Sequence, residues 1–224
     1  MASELGVDEI VGPDLGLRWN VSPTDQLYAV AGRREPGGVK RRLGTMAWGL
    51  VPSWANDVAS GPRPINARVE SLGGRPLFAG ALATRRCLVP VDGFYEWGTG
   101  ADGTRRPHFL APPDGSVLAI AAVWDRWCGA DDETVVSCAV ITTEANDDVA
   151  PLHDRMPACL ELSDWEEWLD PANHDEEALR QLLRPSPLGR LVTRPVSRLV
   201  NNTANDGPQL LADAEPEPPS LFPT

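Results

Sequence analysis

No stretch of this chain approaches the roughly 18 consecutive apolar residues that a membrane-spanning helix requires. The opening Met1-Ala2-Ser3-Glu4-Leu5 has neither the basic start nor the apolar core of a secretory signal. The expectation is a soluble, cytoplasmic protein. Cysteines are few, and Cys87, Cys128, Cys138 and Cys159 lie far apart without a Cys-x-x-Cys pair, which argues against a zinc site or a disulfide framework. No metal or cofactor is expected, and the thiols read as buried structural groups. There is no internal repeat. Positive charge is also short: 20 Lys and Arg face 32 Asp and Glu, a net charge of −12, which at first argues against nucleic acid because binding to phosphates rests on Lys and Arg.

The distribution of that charge changes the inference. Between Ala31 and Arg106 there are 12 basic residues against 6 acidic ones, so a basic middle is flanked by acidic ends. This suits a polyanion track, although arginines that merely balance carboxylates across the fold would give the same count. Arg33-Arg34 and Lys40-Arg41-Arg42, joined by Glu35-Pro36-Gly37-Gly38, read as a hairpin with basic arms.

The 22 prolines and 20 glycines divide the 224 residues into short elements. Val117 to Trp124 and Val135 to Thr142 are strand-length, rich in β-branched residues and bounded by turn signals, as neighbouring antiparallel strands would be. Helices are predicted over Pro76 to Thr84, after a Ser163-x-x-Glu166 capping box, and over about Asp175 to Arg184. The fold class is therefore α+β: a single domain with a curved or barrel-like antiparallel sheet and a few peripheral helices, spanning residues 1–211. The acidic, Pro-rich tail 212–224 has little to bury and is expected to be disordered.

Four segments carry chemistry: Asn66-Ala67-Arg68-Val69-Glu70, Gly93-Phe94-Tyr95-Glu96-Trp97, His153-Asp154-Arg155-Met156-Pro157 and Asn201-Asn202. In an extended segment residues two apart share a face, so Asn66, Arg68 and Glu70 point one way. An amide, a guanidinium, carboxylates and an imidazole form a set able to clamp an anion and exchange protons. Separate ion pairs and turn residues would leave the same trace in the sequence. Trp48-Gly49-Leu50-Val51-Pro52 offers wedges that stack on or part nucleobases, as single-strand binding sites do beside a basic groove.

Together with Trp48 to Trp54, Cys87-Leu88-Val89-Pro90, Thr142 to Asn146 and Val200-Asn201-Asn202, these blocks resemble the SRAP family of SOS response-associated peptidases and abasic-site processing proteins, from about Arg18 to Leu211. The resemblance implies a protein that senses abasic sites in single-stranded DNA and bonds covalently to the ring-opened sugar through an N-terminal cysteine. It implies catalytic roles for Glu96 and His153 in proton transfer and for Asn66 in holding the sugar or the approaching amine. Arg68 would hold a flanking phosphate, with Trp48, Arg85, Arg86 and Asn20 as further DNA contacts. The expected partner is abasic single-stranded DNA, bound by a monomer, with no membrane. The family's Met-Cys-Gly-Arg opening has no counterpart before Arg18-Trp19-Asn20, so its first strand is expected to be missing, leaving a bare sheet edge. Without that cysteine, a non-catalytic DNA-binding module remains an alternative, as does an unrelated hydrolase or structural protein with a similar polar cluster.

Overall fold

The computed structural model describes residues 2–59, 61, 63–100, 102–130 and 132–214. In chain order its strands are β1 (Glu9–Ile10), β2 (Gln26–Glu35), β3 (Gly38–Trp48), β4 (Asn66–Arg68), β5 (Arg86–Val91), β6 (Phe94–Thr99), β7 (Arg105–Ala111), β8 (Leu118–Cys128), β9 (Thr134–Glu144), β10 (Arg155–Pro157) and β11 (Val192–Pro195). The α-helices are α1 (Pro76–Thr84), α2 (Trp165–Leu169) and α3 (Glu176–Gln181). Pro76 starts α1 because a residue without an N–H fits the first helical turn. Asp175 caps α3 by accepting from the Ala178 N–H. The Ser163 capping box does not form; its hydroxyl meets Asp164, and a short 3-10 turn over Leu162–Asp164 leads into α2 instead.

The basic hairpin closes as read, with Arg33 opposite Lys40 and Glu35 opposite Gly38 in the β2–β3 ladder. β2 also pairs with β5, β5 with β8, and β8 with β9, all antiparallel. A parallel contact of Ala47 and Trp48 with Ser137 and Cys138 joins β3 to β9 and closes a five-stranded barrel. Alternation along these strands makes two cores. Leu27, Ala29, Met46, Cys87, Val89, Ile120, Ala122, Cys138 and Val140 come from all five strands and fill the barrel interior. The opposite faces carry Val30, Leu43, Leu88, Val123 and Ile141 outward, where α1, α2 and α3 cover them with Phe78, Leu82, Trp165, Trp168 and Leu179.

β6, β7 and β11 form a separate three-stranded sheet. A third core of Leu110, Leu118, Val149, Met156 and Leu191 joins it to the barrel. Gly93 permits this packing: a Cβ there would lie 2.4 Å from the Phe109 ring and 2.5 Å from the Leu110 carbonyl.

The edge expected to be bare is occupied where β1 lies. Leu5 is fully buried, β1 pairs in parallel with Arg42 and Leu43, and the Val11 N–H donates to the Leu43 carbonyl. Ordered main chain also continues past Leu211, since Ala212 accepts from the Ser197 N–H and Asp213 bridges Val196. The rest of the expected tail, 215–224, lies outside the described residues. The cysteines divide. Cys87 and Cys138 are buried and Cys159 is half-buried, but Cys128 is exposed, against the expectation of four buried thiols.

Candidate active site

β6 carries Glu96 into the space between the barrel and the small sheet. Phe94, Glu96 and Gly98 share one face, opposite Leu110, His108 and Arg106 of β7. Burial pushes the Glu96 carboxyl above the usual carboxylate range, while the nearby charges of His153 and Arg105 and the Trp97 N–H oppose that rise. A carboxyl so placed holds a proton closer to neutrality than an exposed one.

His153 arrives on the turn after β9. Asn146 shapes that turn by accepting from the Val149 N–H and donating to the Ser186 carbonyl. The turn can approach β6 because residue 98 is glycine: a Cβ there would stand 2.6 Å from the Leu152 side chain, next to His153. His153 Nδ1 lies 2.9 Å from the Arg155 N–H and 3.2 Å from the Arg155 carbonyl, so the main chain of its own turn holds the ring in place. The Asp154 carboxylate stands 3.2 Å from Nδ1, ready to accept from a protonated ring.

Arg155 links this pair to β4. Its guanidinium grips Glu70 with two hydrogen bonds, of 2.6 and 3.1 Å, and also donates to the Thr142 carbonyl at 2.7 Å. Glu70, held below the usual carboxylate range chiefly by the hydrogen bond from Arg155, feels Arg68 as well. Asn66 and Arg68 lie on the exposed face of β4 with Ala67 buried between them, and β4 pairs with Val140 to Thr142 of β9. Among the described residues the Arg68 guanidinium has no hydrogen bond or ion pair of its own, so it is free to meet an anion. Hydrogen bonds join Glu70 to Arg155 and Arg155 to His153, Glu96 feels the charge of His153, and Asn66 and Arg68 precede Glu70 on β4. Arg155 is the member that sequence reasoning did not single out. Its signal was its place inside the His153 to Pro157 block.

Other candidates fare differently. Arg86 is 3% exposed and donates to the carbonyls of Trp168, Leu82, Ala83, Asp170 and Asn173, so it is structural and has no donors left for a phosphate. Arg85 pairs with the buried Asp125 at 3.2 Å. Asn20 is buried, and its amide caps the carbonyls of Val200, Asn202 and Asn205, which orders the C-terminal turn rather than reaching solvent. Trp48 is half-buried with its indole N–H donating to the Ile65 carbonyl; Trp54, at 62% exposure, presents the more open ring. Asn201 accepts from the Trp97 indole, and Asn202 from the Ala204 N–H. Much of the basic middle is spent within the fold, with Arg34 on Asp170, Lys40 near Asp8, Arg42 on Glu9 and Arg106 on Asp102.

With this geometry in hand, comparison with known proteins is decisive. The profile of the SOS response associated peptidase (SRAP) family matches residues 2–203. The chain belongs to the SRAP family. It is 34% identical over 193 residues to the abasic site processing protein YoqW of Bacillus subtilis, covering 86% of this chain and 84% of that one. It is 30% identical over 200 residues to the abasic site processing protein HMCES of Gallus gallus, covering 79% of this chain and 59% of that longer one. A solved protein of Bordetella bronchiseptica superposes with a TM-score of 0.68 at 26% identity over 79% of this chain and 86% of its own. One from Bacteroides thetaiotaomicron reaches 0.74 at 23% identity over 86% and 82%, which is a likeness of fold.

Proposed function

We propose that this SRAP protein processes abasic sites in single-stranded DNA, using Glu96 and His153 for proton transfer and Arg68 with Asn66 to hold the strand and its sugar. The observation that carries the reading is the half-buried Glu96 carboxyl with raised pKa near His153, whose turn Arg155 ties to Glu70, a carboxylate that also feels the exposed Arg68. The names of its relatives, abasic site processing proteins, support the substrate.

The open form of an abasic sugar presents an aldehyde. An attacking amine adds to its carbon, a proton passes from nitrogen to oxygen, and water leaves as the imine forms. Protonated Glu96 supplies the proton that lets the hydroxyl depart, and its carboxylate takes one back on reversal. His153 serves as acid or base at the sugar oxygen. A thiol next to the amine then adds to the imine carbon and closes a five-membered ring, which makes the adduct durable. Cys87 cannot serve, since burial holds its thiol well above its ordinary pKa; Cys138 and Cys159 are likewise pushed up to about 12. The family's Met-Cys-Gly-Arg opening has no counterpart before Arg18.

The test uses two forms, the chain as given and one preceded by Met-Cys-Gly-Arg, each incubated with abasic single-stranded oligonucleotide and run on denaturing gels. The extended form should give a heat-stable adduct and the unextended form should bind without one. Absence of DNA binding by both forms would refute the proposal.

A further inference from the structure

At the opposite end of β9 from Thr142, the barrel interior opens into a cavity of about 480 Å³. Six residues of extended chain, about 20 Å, separate Val136 at that cavity from Thr142 in the network around Arg155. The lining follows the inward alternation of each strand: Ala29, Ala31 and Arg33 on β2, Arg42, Gly44 and Met46 on β3, Trp124 and Arg126 on β8, and Val136 on β9. The apolar core thus continues outward into a floor of small side chains, a tryptophan wall and a rim of three guanidiniums from three strands. Gly44 keeps the floor low, with Val11 close against it.

Only part of the rim is neutralised among the described residues. Arg42 is held by Glu9 at 2.8 Å, and Arg33 has only a loose contact of 3.9 Å with Glu35. Arg126 is exposed and has no side-chain hydrogen bond or ion pair among the described residues. A flat apolar body would replace water against Trp124 and the floor, and a phosphate would find a guanidinium able to grip it with two donors. The volume falls within the range of small-molecule sites. Glu9 and Glu35 are the acidic groups paired with the rim, and a bound anion would compete with them for Arg42 and Arg33.

We propose that this cavity binds a nucleoside monophosphate unit, with its base against Trp124 and its phosphate on Arg126 and Arg33. The unit can be a free nucleotide or the 5′-terminal nucleotide of a DNA strand. The site shares no residue with Glu96, His153 or Arg68, so it stands or falls independently of the abasic-site reading.

Equilibrium dialysis of the intact chain against labelled dAMP at low salt tests it. Saturable binding is expected, weakened about tenfold or more by Arg126→Ala, since a hydrogen bond to a charged group contributes about 1.5–3 kcal/mol. Arg68→Ala and Glu96→Gln should leave it unchanged, and deoxyadenosine and inorganic phosphate should each bind more weakly than dAMP. Arg126 is exposed, so a matched thermal midpoint and circular dichroism spectrum will show that the variant folds. Displacement of dAMP by a 5′-phosphorylated oligonucleotide but not by its 5′-hydroxyl form would identify a strand end as the ligand; displacement by neither would leave the free nucleotide. Lack of saturable dAMP binding would overturn the proposal. So would equal binding of inorganic phosphate, or loss of binding in Arg68→Ala with Arg126→Ala intact.

Discussion

Two charged groups drawn from water to different depths in this molecule are treated in opposite ways. Under the helical wall, Arg86 gives its guanidinium to five carbonyls and lies over the Trp168 ring, with burial lowering its pKa to about 10 and Asp170 opposing that shift. Between the two sheets, Glu96 is drawn out of water with only the Trp97 N–H and the field of His153 and Arg105 to compensate. The first is a satisfied group whose worth is stability. The second is left poorly solvated, so its proton is available for chemistry. The same fold keeps the two apart: Arg86 starts β5 beneath α1 and α2, and Glu96 sits on the second sheet.

The sharpest way to break this contrast is to exchange the outcomes. In the chain preceded by Met-Cys-Gly-Arg, Glu96→Gln or His153→Ala should slow adduct formation or reversal by about 10²–10⁴-fold, the usual range for a general acid or base, with little loss of stability. Time courses on denaturing gels provide the rates. Arg86→Met should do the reverse. It leaves several buried carbonyls without donors and should cost more than about 3 kcal/mol in denaturant unfolding, while any folded fraction retains DNA binding. If Arg86→Met were stable but defective toward DNA, the two regions would have been assigned the wrong way round.

What the sequence could show follows the range of the interactions involved. The start of α1 at Pro76, the β2–β3 hairpin and the β8–β9 pair rest on local signals, and they were legible. Barrel closure rests on two residue pairs between distant strands, and the β6–β7–β11 sheet brings Arg194 against Phe109; no local pattern announces either. The site divides similarly. Glu96 and His153 stand out in the sequence because the resemblance and their residue types imply proton transfer, and the fold places them near enough for His153 to act on the Glu96 carboxyl. Arg86 was misread because a charge count does not distinguish it from Arg85, its neighbour, which pairs with the buried Asp125. Arg155 was passed over because its role depends on Glu70, 85 positions away.

A subtler intervention acts on placement alone. Gly98→Ala adds one methyl where Leu152 already stands, pushing the His153 turn away from Glu96 without removing either group. A displacement of this kind should lower the adduct rate by about 10- to 100-fold, more than it lowers DNA affinity. Equal losses in both would mean that residue 98 supports the fold rather than the pair. Arg68→Ala should affect binding and leave stability within about 0.5 kcal/mol, because the side chain is exposed and unpaired among the described residues. The plot of log affinity against log salt should flatten by about one unit of slope, the mark of one lost phosphate contact. Arg86, already spent on carbonyls, should contribute nothing to that slope.

The smallest expected effect tests the cause of the Glu96 shift. A carboxyl whose pKa is raised in the fold keeps its proton to higher pH in the native state than in the unfolded chain. Between the ordinary carboxylate value and the raised one the native state binds more protons, so stability falls as pH climbs through that window. Glu96→Gln removes the charge that burial penalises and keeps the shape. Its unfolding midpoint should therefore match the parent's below the ordinary carboxylate range and exceed it at neutral pH, by a margin that solvent screening of this half-buried group keeps small. Paired urea titrations at acid and neutral pH measure the difference. A Gln variant less stable than the parent at neutral pH would show that the His153 and Arg105 charges outweigh desolvation, and Glu96 would then be an ion-paired carboxylate with no proton to give.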